Sequence, residues 1–275
     1  MDGSMLGHLG QAIILGLVQG VTEFLPFSST GHLIIVRDFL GLPDLGNVFD
    51  AVLHLGTLLA ILVYFRKDWR RMLFPIPSKK ETKMTLTPNR RLLGMILIAT
   101  IPGLLVGYLG NYWVENHWRS LLAVAILMVA MGVTYLLFEQ FIRLPKASKS
   151  LTIWDALSIG IAQASAVISA IPRSGVTLLA GMYVGLARDE AAKFSFLLAA
   201  PVMAAAGGYS LYVALAEKSL TQDYWFWLMA FVISTISGLL AIGWLLKFYQ
   251  KYSLKGFAYY LLVMGAGLVI YHFLR

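Results

Sequence analysis

The stretch Gln11–Gly41, QAIILGLVQGVTEFLPFSSTGHLIIVRDFLG, decides how this chain is read. It is as apolar as a membrane span, yet Glu23, Pro26, a Ser28-Ser29-Thr30-Gly31 run and His32 break it midway. Pro26 closes a helix, because it has no N–H to donate and clashes with the preceding turn. The hydroxyl cluster then offers N-cap oxygens to a second helix beginning near Gly31. A second stretch, Thr152–Leu186, breaks the same way at Pro172-Arg173-Ser174-Gly175. Each predicts two short helices of one to four turns joined at a tip, neither long enough to cross a bilayer. That is a re-entrant hairpin, tolerated at membrane depth only where protein buries it or a wet cavity receives it.

The rest of the chain supplies the membrane. Hydrophobic residues make up 59% of 275 and charged residues 13%, against about 45–50% and about 25% in soluble domains. Mean hydropathy is +0.74. So few charges cannot cover a soluble surface, and no stretch is polar or repetitive enough for disorder. The absence of cysteine excludes a disulfide frame, thiolate chemistry and a Cys-based metal site. The start, Met1-Asp2-Gly3-Ser4-Met5, has no basic n-region, so no cleavable signal peptide is expected and Met5 is a candidate initiator.

A helix needs about 20 apolar residues to span hydrocarbon. Six segments qualify: Val48–Phe65, Leu92–Gly110, Leu121–Phe138, Phe194–Ala216, Tyr224–Leu246 and Gly256–Leu274. The net charge of +8 belongs to loops on the cytoplasmic side, so nucleic acid is not an expected partner. The loop Arg66–Arg91 holds Arg66, Lys67, Arg70, Arg71, Lys79, Lys80, Lys83, Arg90 and Arg91. Placing it in the cytoplasm and alternating the spans also puts Arg143, Lys146, Lys149, Arg188, Lys193, Lys247, Lys251 and Lys255 inside. Arg37, Arg119, Lys218, Arg275 and both termini fall outside. Tyr112, Trp113 and Trp118, in an external loop Asn111–Trp118, fit an interfacial aromatic belt. Pro102-Gly103 reads as a kink, and Gly103 with Gly107 as a close helix contact.

Slid against itself by 144 residues, the chain superposes Ala12 on Ala156, Gly16 on Gly160, Gln19 on Gln163, Thr30 on Ser174, Gly31 on Gly175 and Gly41-Leu42 on Gly185-Leu186. Each broken region is followed by three spans. An odd number of spans sets the copies in opposite orientations. The expected fold is therefore an all-α polytopic membrane protein, with six transmembrane helices and two re-entrant helical hairpins in an inverted-topology repeat. It forms a single membrane domain over 1–275, with halves of about 1–147 and 148–275. Broken helices in such repeats meet at a site near the bilayer midplane.

The tips carry residues that lipid does not tolerate. Glu23, His32 and Arg173 at membrane depth each cost roughly 2.5 kcal/mol or more unless paired or wet, which marks a functional site. Two facing helix starts favour an anion, and the planar fork of Arg173 matches phosphate oxygens. Ser29 and His32, three apart, share a helix face, where an imidazole can take a hydroxyl proton. Glu23 can orient that histidine or hold a divalent cation. Asp50 and His54, four apart on the first span, stand behind these. The residues alone leave open a capping role for the hydroxyls, a packing role for His32 and a plain Glu23–Arg173 pair.

The run Gln19-Gly20-Val21-Thr22-Glu23-Phe24-Leu25-Pro26-Phe27-Ser28-Ser29-Thr30-Gly31-His32 resembles the signature of the undecaprenyl-diphosphate phosphatase family, the bacitracin-resistance type. Phe49–Thr57 and Arg173-Ser174-Gly175-Val176-Thr177 resemble its other motifs. The resemblance implies a membrane enzyme that removes the terminal phosphate of undecaprenyl diphosphate at the outer face of the cytoplasmic membrane. It thereby recycles the lipid carrier for cell-wall synthesis. It implies a divalent cation, magnesium or calcium, near Glu23, a polyprenyl diphosphate lipid as substrate among membrane lipids, and a homodimer as one form. Glu23, Ser29, His32 and Arg173 match catalytic positions. Gln19, Ser28, Thr30, Arg173, Ser174, Gly175 and Thr177 fall beside them as substrate-binding candidates. Two positions depart from the pattern: many members have Glu where this chain has Gln19, and Ser169-Ala170-Ile171-Pro172 replaces Pro-Gly-x-Ser. The residues also fit a second class, a transporter such as a lipid-carrier flippase, since inverted repeats with broken helices build those too.

Overall fold

The computed structural model describes residues 3–74, 90–117, 120–142, 150–168, 170–216 and 224–274. Among them there is no strand. In the first half, α1 (Gly3–Thr22) and α2 (Ser29–Leu40) meet at the first break. They are followed by α3 (Gly46–Tyr64), a short α4 (Arg66–Leu73), α5 (Arg90–His117) and α6 (Leu121–Phe141). In the second half, α7 (Ile153–Ala164), a 3-10 turn (Ser165–Val167) and α8 (Arg173–Tyr183) form the second break. α9 (Arg188–Ala216), α10 (Tyr224–Tyr249) and α11 (Lys255–Leu274) complete the chain.

Local chemistry sets the ends. Thr152 and Asp155 form a reciprocal capping box at the start of α7, satisfying two backbone donors that would otherwise be unpaired. α2 stops at Gly41, whose φ of 61° is the left-handed region and lets Leu42 N–H return to Arg37 O at 2.9 Å.

Among the described residues five helices are long and apolar enough to cross a membrane: α5 over Arg90–Leu109, α6, α9, α10 and α11. No more than 39% of any of these apolar segments is buried. Leu97, Leu105, Leu240 and Val263 are among the large side chains pointing outward. An apolar exterior on this scale suits hydrocarbon and not water, so the protein is an integral membrane protein. The sixth expected span, Val48–Phe65, coincides with α3. α3 is 19 residues long and is followed by α4, which is bent from it by 74°.

Three stretches differ from expectation. α1 starts at Gly3 and has 20 residues, about 30 Å at 1.5 Å per residue, so this half of the first hairpin is longer than four turns. The sequence reading opens the region at Gln11, where the apolar run becomes continuous, whereas a helix continues as long as no breaker stops it. For the same reason α5 runs on to His117 where a loop was expected; Trp118 lies outside the described residues, as do the side chains of Tyr112 and Trp113. Part of the basic loop is helix α4. Its charges hide it from a hydropathy reading, and Lys79, Lys80 and Lys83 lie outside the described residues.

The two halves are packed crosswise. α1 of the first half lies along α10 of the second, and α7 of the second lies along α5 of the first. The two crossings use equivalent glycines. A Cβ on Gly16 would stand 3.0 Å from Ala230 O on α10, and a Cβ on Gly160 would run into the Ala99 carbonyl on α5. Small residues let backbones meet this closely, which is how membrane helices gain packing energy. Hydroxyls of α10 join it to α3: Ser234 donates to Leu53 O at 2.8 Å and Thr235 to Gly56 O at 3.0 Å. Such bonds average about 0.6 kcal/mol each in membrane helices. Gly103 does sit at a close contact, but its neighbour is Gln163, on α7.

Candidate active site

The last turn of α1 continues through Glu23, whose N–H still bonds Gln19 O at 2.9 Å. The chain then turns over Phe24–Phe27 and reaches Ser28, which has φ 69° and ψ 105°. A positive φ on a non-glycine residue is sparsely populated and persists where its surroundings impose it. Here the Ser28 hydroxyl accepts from Gly31 N–H at 3.2 Å and caps α2. From the other tip, α8 opens at Arg173 behind Pro172. The tips touch directly: Ser174 donates to Leu25 O at 2.8 Å. Tyr135, fully buried on α6, donates to Pro26 O at 3.0 Å. Gly175 is required at this seam, because a Cβ there would overlap the Tyr135 hydroxyl.

Glu23 is the hub. Its Oε1 accepts from Arg173 Nη2 at 2.7 Å, and its Oε2 accepts from Ser29 Oγ at 2.6 Å and Gln19 Nε2 at 2.8 Å. His54 Nδ1 lies 3.3 Å from the same Oε2 and 2.8 Å from Gln19 Nε2. The carboxylate is only 5% exposed, Arg173 15% and His54 29%. Solvent or a ligand therefore approaches from the His54 and Arg173 side. Two buried polar atoms in the cluster lack a partner among the described residues: Arg173 Nη1, a donor, and Gln19 Oε1, an acceptor. Nearly all buried polar groups are paired, so this donor and this acceptor, on two residues that both bond Glu23, leave room for a polar ligand.

Glu23, Ser29 and Arg173 are thus brought together, with Gln19 beside them. His32 stands apart from Ser29. Its Nδ1 meets Ser28 O at 2.8 Å, which can only accept, so Nδ1 carries the hydrogen. Nε2 is then the lone-pair atom and accepts from Tyr260 OH at 2.7 Å. Phe27 stacks with both rings, at 5.7 Å from His32 and 4.3 Å from Tyr260. The Ser29 proton therefore has a carboxylate, not an imidazole, as its neighbour. Thr177 donates to Arg173 O at 2.7 Å and lies 2.5 Å from Ser195 Oγ, bracing the second tip. Thr30 is half-buried on the first turn of α2, and Ser169 lies outside the described residues.

A cation would find one carboxylate and one free amide oxygen. Among the described residues no group of three or more His, Asp or Glu comes together. Glu23 and Gln19 Oε1 are hard oxygen donors, and that set fits a cation that draws most of its ligands from phosphate oxygens and water, as magnesium does.

The chain matches the family described as bacitracin resistance protein BacA over residues 12–267. It belongs to the BacA family. A relative from Rubrobacter xylanophilus, named undecaprenyl-diphosphatase, is 40% identical over 262 residues, 94% of this chain and 96% of its own. Relatives of the same name from Thermodesulfovibrio yellowstonii and Hahella chejuensis are 37% and 36% identical. The first covers 98% of this chain and 100% of its own, the second 95% and 97%.

In this BacA-family chain the structure moves two residues, His54 and Arg37, from where a sequence reading puts them, and adds two, Tyr260 and Tyr135, that such a reading misses. His54 touches Glu23 itself rather than standing behind it. Its spacing from Asp50 is the signal, but Asp50 faces Arg37, 2.5 Å from Nη2. Arg37, read from sequence only as an outer charge, is buried at 6% exposure and also reaches Asp44 at 3.4 Å. Tyr260 and Tyr135 contact residues 228 and 109 positions away, and no local pattern points to either.

Proposed function

We propose that this protein is an undecaprenyl-diphosphatase, converting undecaprenyl diphosphate to the monophosphate and inorganic phosphate. The names of its relatives over nearly their whole length support the substrate. The observation that carries the chemistry is the Ser29 hydroxyl seated on Glu23 with Arg173 on the opposite oxygen.

The incoming diphosphate takes over Arg173, whose second nitrogen is already unpaired, and so frees one oxygen of Glu23. Ser29 Oγ attacks the terminal phosphorus while Glu23 takes its proton. The bond from that phosphorus to the bridging oxygen breaks, and undecaprenyl monophosphate leaves with the bridging oxygen and the proton. Water then attacks the phosphoserine phosphorus. Glu23 takes one water proton and returns it to Ser29 Oγ as inorganic phosphate departs. Arg173 and the N-terminal turns of α2 and α8 stabilise charge on the equatorial oxygens, the main catalytic task in phosphoryl transfer. A divalent cation held by Glu23 and the Gln19 amide oxygen would neutralise further charge on the diphosphate. His32 holds the aromatic wall of Phe27 and Tyr260 beside the tip.

The layout behind this reading is six spans, α3, α5, α6, α9, α10 and α11, with α1–α2 and α7–α8 as re-entrant elements of an inverted repeat. Crosswise packing through Gly16 and Gly160 supports the repeat. The basic residues of α4 belong to the cytoplasmic side, which turns the first hairpin and its site outward, at the cytoplasmic membrane. Single cysteines test this directly, since the chain has none: at Pro43 they should react with impermeant reagents applied outside, and at Lys67 only with permeant ones. Release of phosphate from a polyprenyl diphosphate by purified protein, abolished in Ser29→Ala and reduced by EDTA, tests the reaction. Lipid movement across vesicles with no phosphate release would overturn it.

A further inference from the structure

A groove of about 220 Å³, lined wholly by apolar surface, lies between α3, α4, α5 and α9. Leu58 and Leu62 of α3, Leu97 of α5, and Pro201 and Ala204 of α9 form its walls, and Trp69 of α4 closes one end. Leu62 and Leu97 are exposed on the membrane-facing surface, so the groove opens to lipid. At the Trp69 end its chemistry changes. α4 turns 74° away from α3 and exposes Arg66, Lys67, Arg70 and Arg71. Its one acid, Asp68, is neutralised by Lys193 at 2.9 Å. The indole N–H of Trp69 is buried and has no acceptor among the described residues. Indole nitrogen is a donor only, and a buried unmade bond costs about 1–3 kcal/mol, so an acceptor from outside the chain is wanted there.

An apolar slot, an unmet donor at its end and an uncompensated row of cations beyond it follow the order of a phospholipid: acyl chain, ester and phosphate oxygens, anionic headgroup. We propose that this groove is a binding site for an anionic phospholipid, with one acyl chain between α3, α5 and α9, an ester or phosphate oxygen accepting from Trp69, and the headgroup on the arginines of α4. A polyprenyl diphosphate whose head sits on Arg173 could bring only its apolar tail here, and that tail gives no reason for arginines at the end of the slot. The site stands apart from the Glu23–Arg173 cluster, and its existence does not depend on what that cluster catalyses.

Native mass spectrometry of the full-length protein in detergent, titrated with phosphatidylglycerol or with phosphatidylcholine of the same chains, tests the site. Phosphatidylglycerol should bind first and more tightly. Each basic residue near an anionic lipid surface contributes about 1 kcal/mol, so Arg66→Gln with Arg70→Gln should weaken phosphatidylglycerol by about thirtyfold and leave phosphatidylcholine nearly unchanged. Trp69→Phe keeps the ring and removes the donor; it should weaken both lipids several-fold. Ala204→Trp should fill the slot and abolish the tight site. Equal affinity for the two lipids, or full phosphatidylglycerol binding by the Trp69→Phe and arginine variants, overturns the proposal. Displacement of phosphatidylglycerol by a neutral polyprenol would also overturn it, by making the groove a prenyl slot.

Discussion

Arg173→Ala removes the cation that sits 2.7 Å from Glu23 Oε1 and leaves a carboxylate that is 5% exposed. Breaking a buried ion pair by deleting one partner costs about 3–5 kcal/mol, chiefly through the charge left behind. Glu23 keeps Ser29 at 2.6 Å, Gln19 at 2.8 Å and His54 at 3.3 Å, and those contacts put the expected loss at the lower end, about 3 kcal/mol. With about 2–4 °C per kcal/mol for a chain of this order, the ligand-free protein should melt about 6–12 °C lower in detergent. Glu23→Gln on that background removes the stranded charge while preserving hydrogen bonds, and should recover most of the loss. Arg173→Lys keeps the charge without the fork; one charge-assisted bond of about 1.5–3 kcal/mol corresponds to a loss of about ten- to hundredfold in kcat/KM. Thermal melts of the single and double variants, with phosphate-release kinetics on the lysine variant, measure every part of this. If Arg173→Ala melts like the unaltered protein and the second substitution adds nothing, the Glu23–Arg173 pairing is wrong.

Ser29→Ala should lower phosphate release by at least a thousandfold with a near-normal melt; retained turnover would dismiss the serine as nucleophile. Gly175→Ala should cost about 1–3 kcal/mol by forcing Tyr135 aside, and Tyr135→Phe in the same chain should soften that loss; strictly additive melts would place the strain elsewhere. Tyr260→Phe leaves His32 Nε2 without its donor and should reduce kcat by about fivefold, the size of one net hydrogen bond of about 1 kcal/mol, with little change in KM; an unaltered kcat would reduce His32 to packing.

Long apolar runs dominate any window average, so α6, α10 and α11 are legible in the sequence nearly to their ends, whereas α5 extends past its apolar run to His117 and α9 starts ahead of its run, at Arg188. The breaks are legible because Pro26 and Pro172 mark them locally, although α7 has already ended at Ala164 and Pro172 stands at the start of α8. The meeting of the tips follows from the offset of 144, which sets Arg173 against Ser29. The exact partner of Ser29 does not follow. Helical spacing offered His32, but the Ser28 cap draws that ring to its own carbonyl, and the turn at Phe24–Phe27 swings Glu23 back over Ser29. Tyr260 reaches the site by tertiary packing alone. α4 is invisible to hydropathy because an interfacial helix is defined by two unlike faces, not by its mean.

The crosswise packing of the halves also sets an order of events during synthesis. The α10 surface that covers α1 begins at Tyr224, about 200 residues after α1 ends, and Arg173 follows Glu23 by 150 positions. At a ribosome speed of about 5–20 residues per second, α1 waits about 10–40 s for its cover and Glu23 waits about 8–30 s for its cation. Until then the carboxyl must stay protonated or stay wet, so the first hairpin cannot settle at its final depth when it emerges. With α1 packed on α10 and α5 on α7, each half leaves a helix face uncovered without the other, and a nascent chain halted after α6 would present the insertion machinery with a finished set of helices and an unfinished protein.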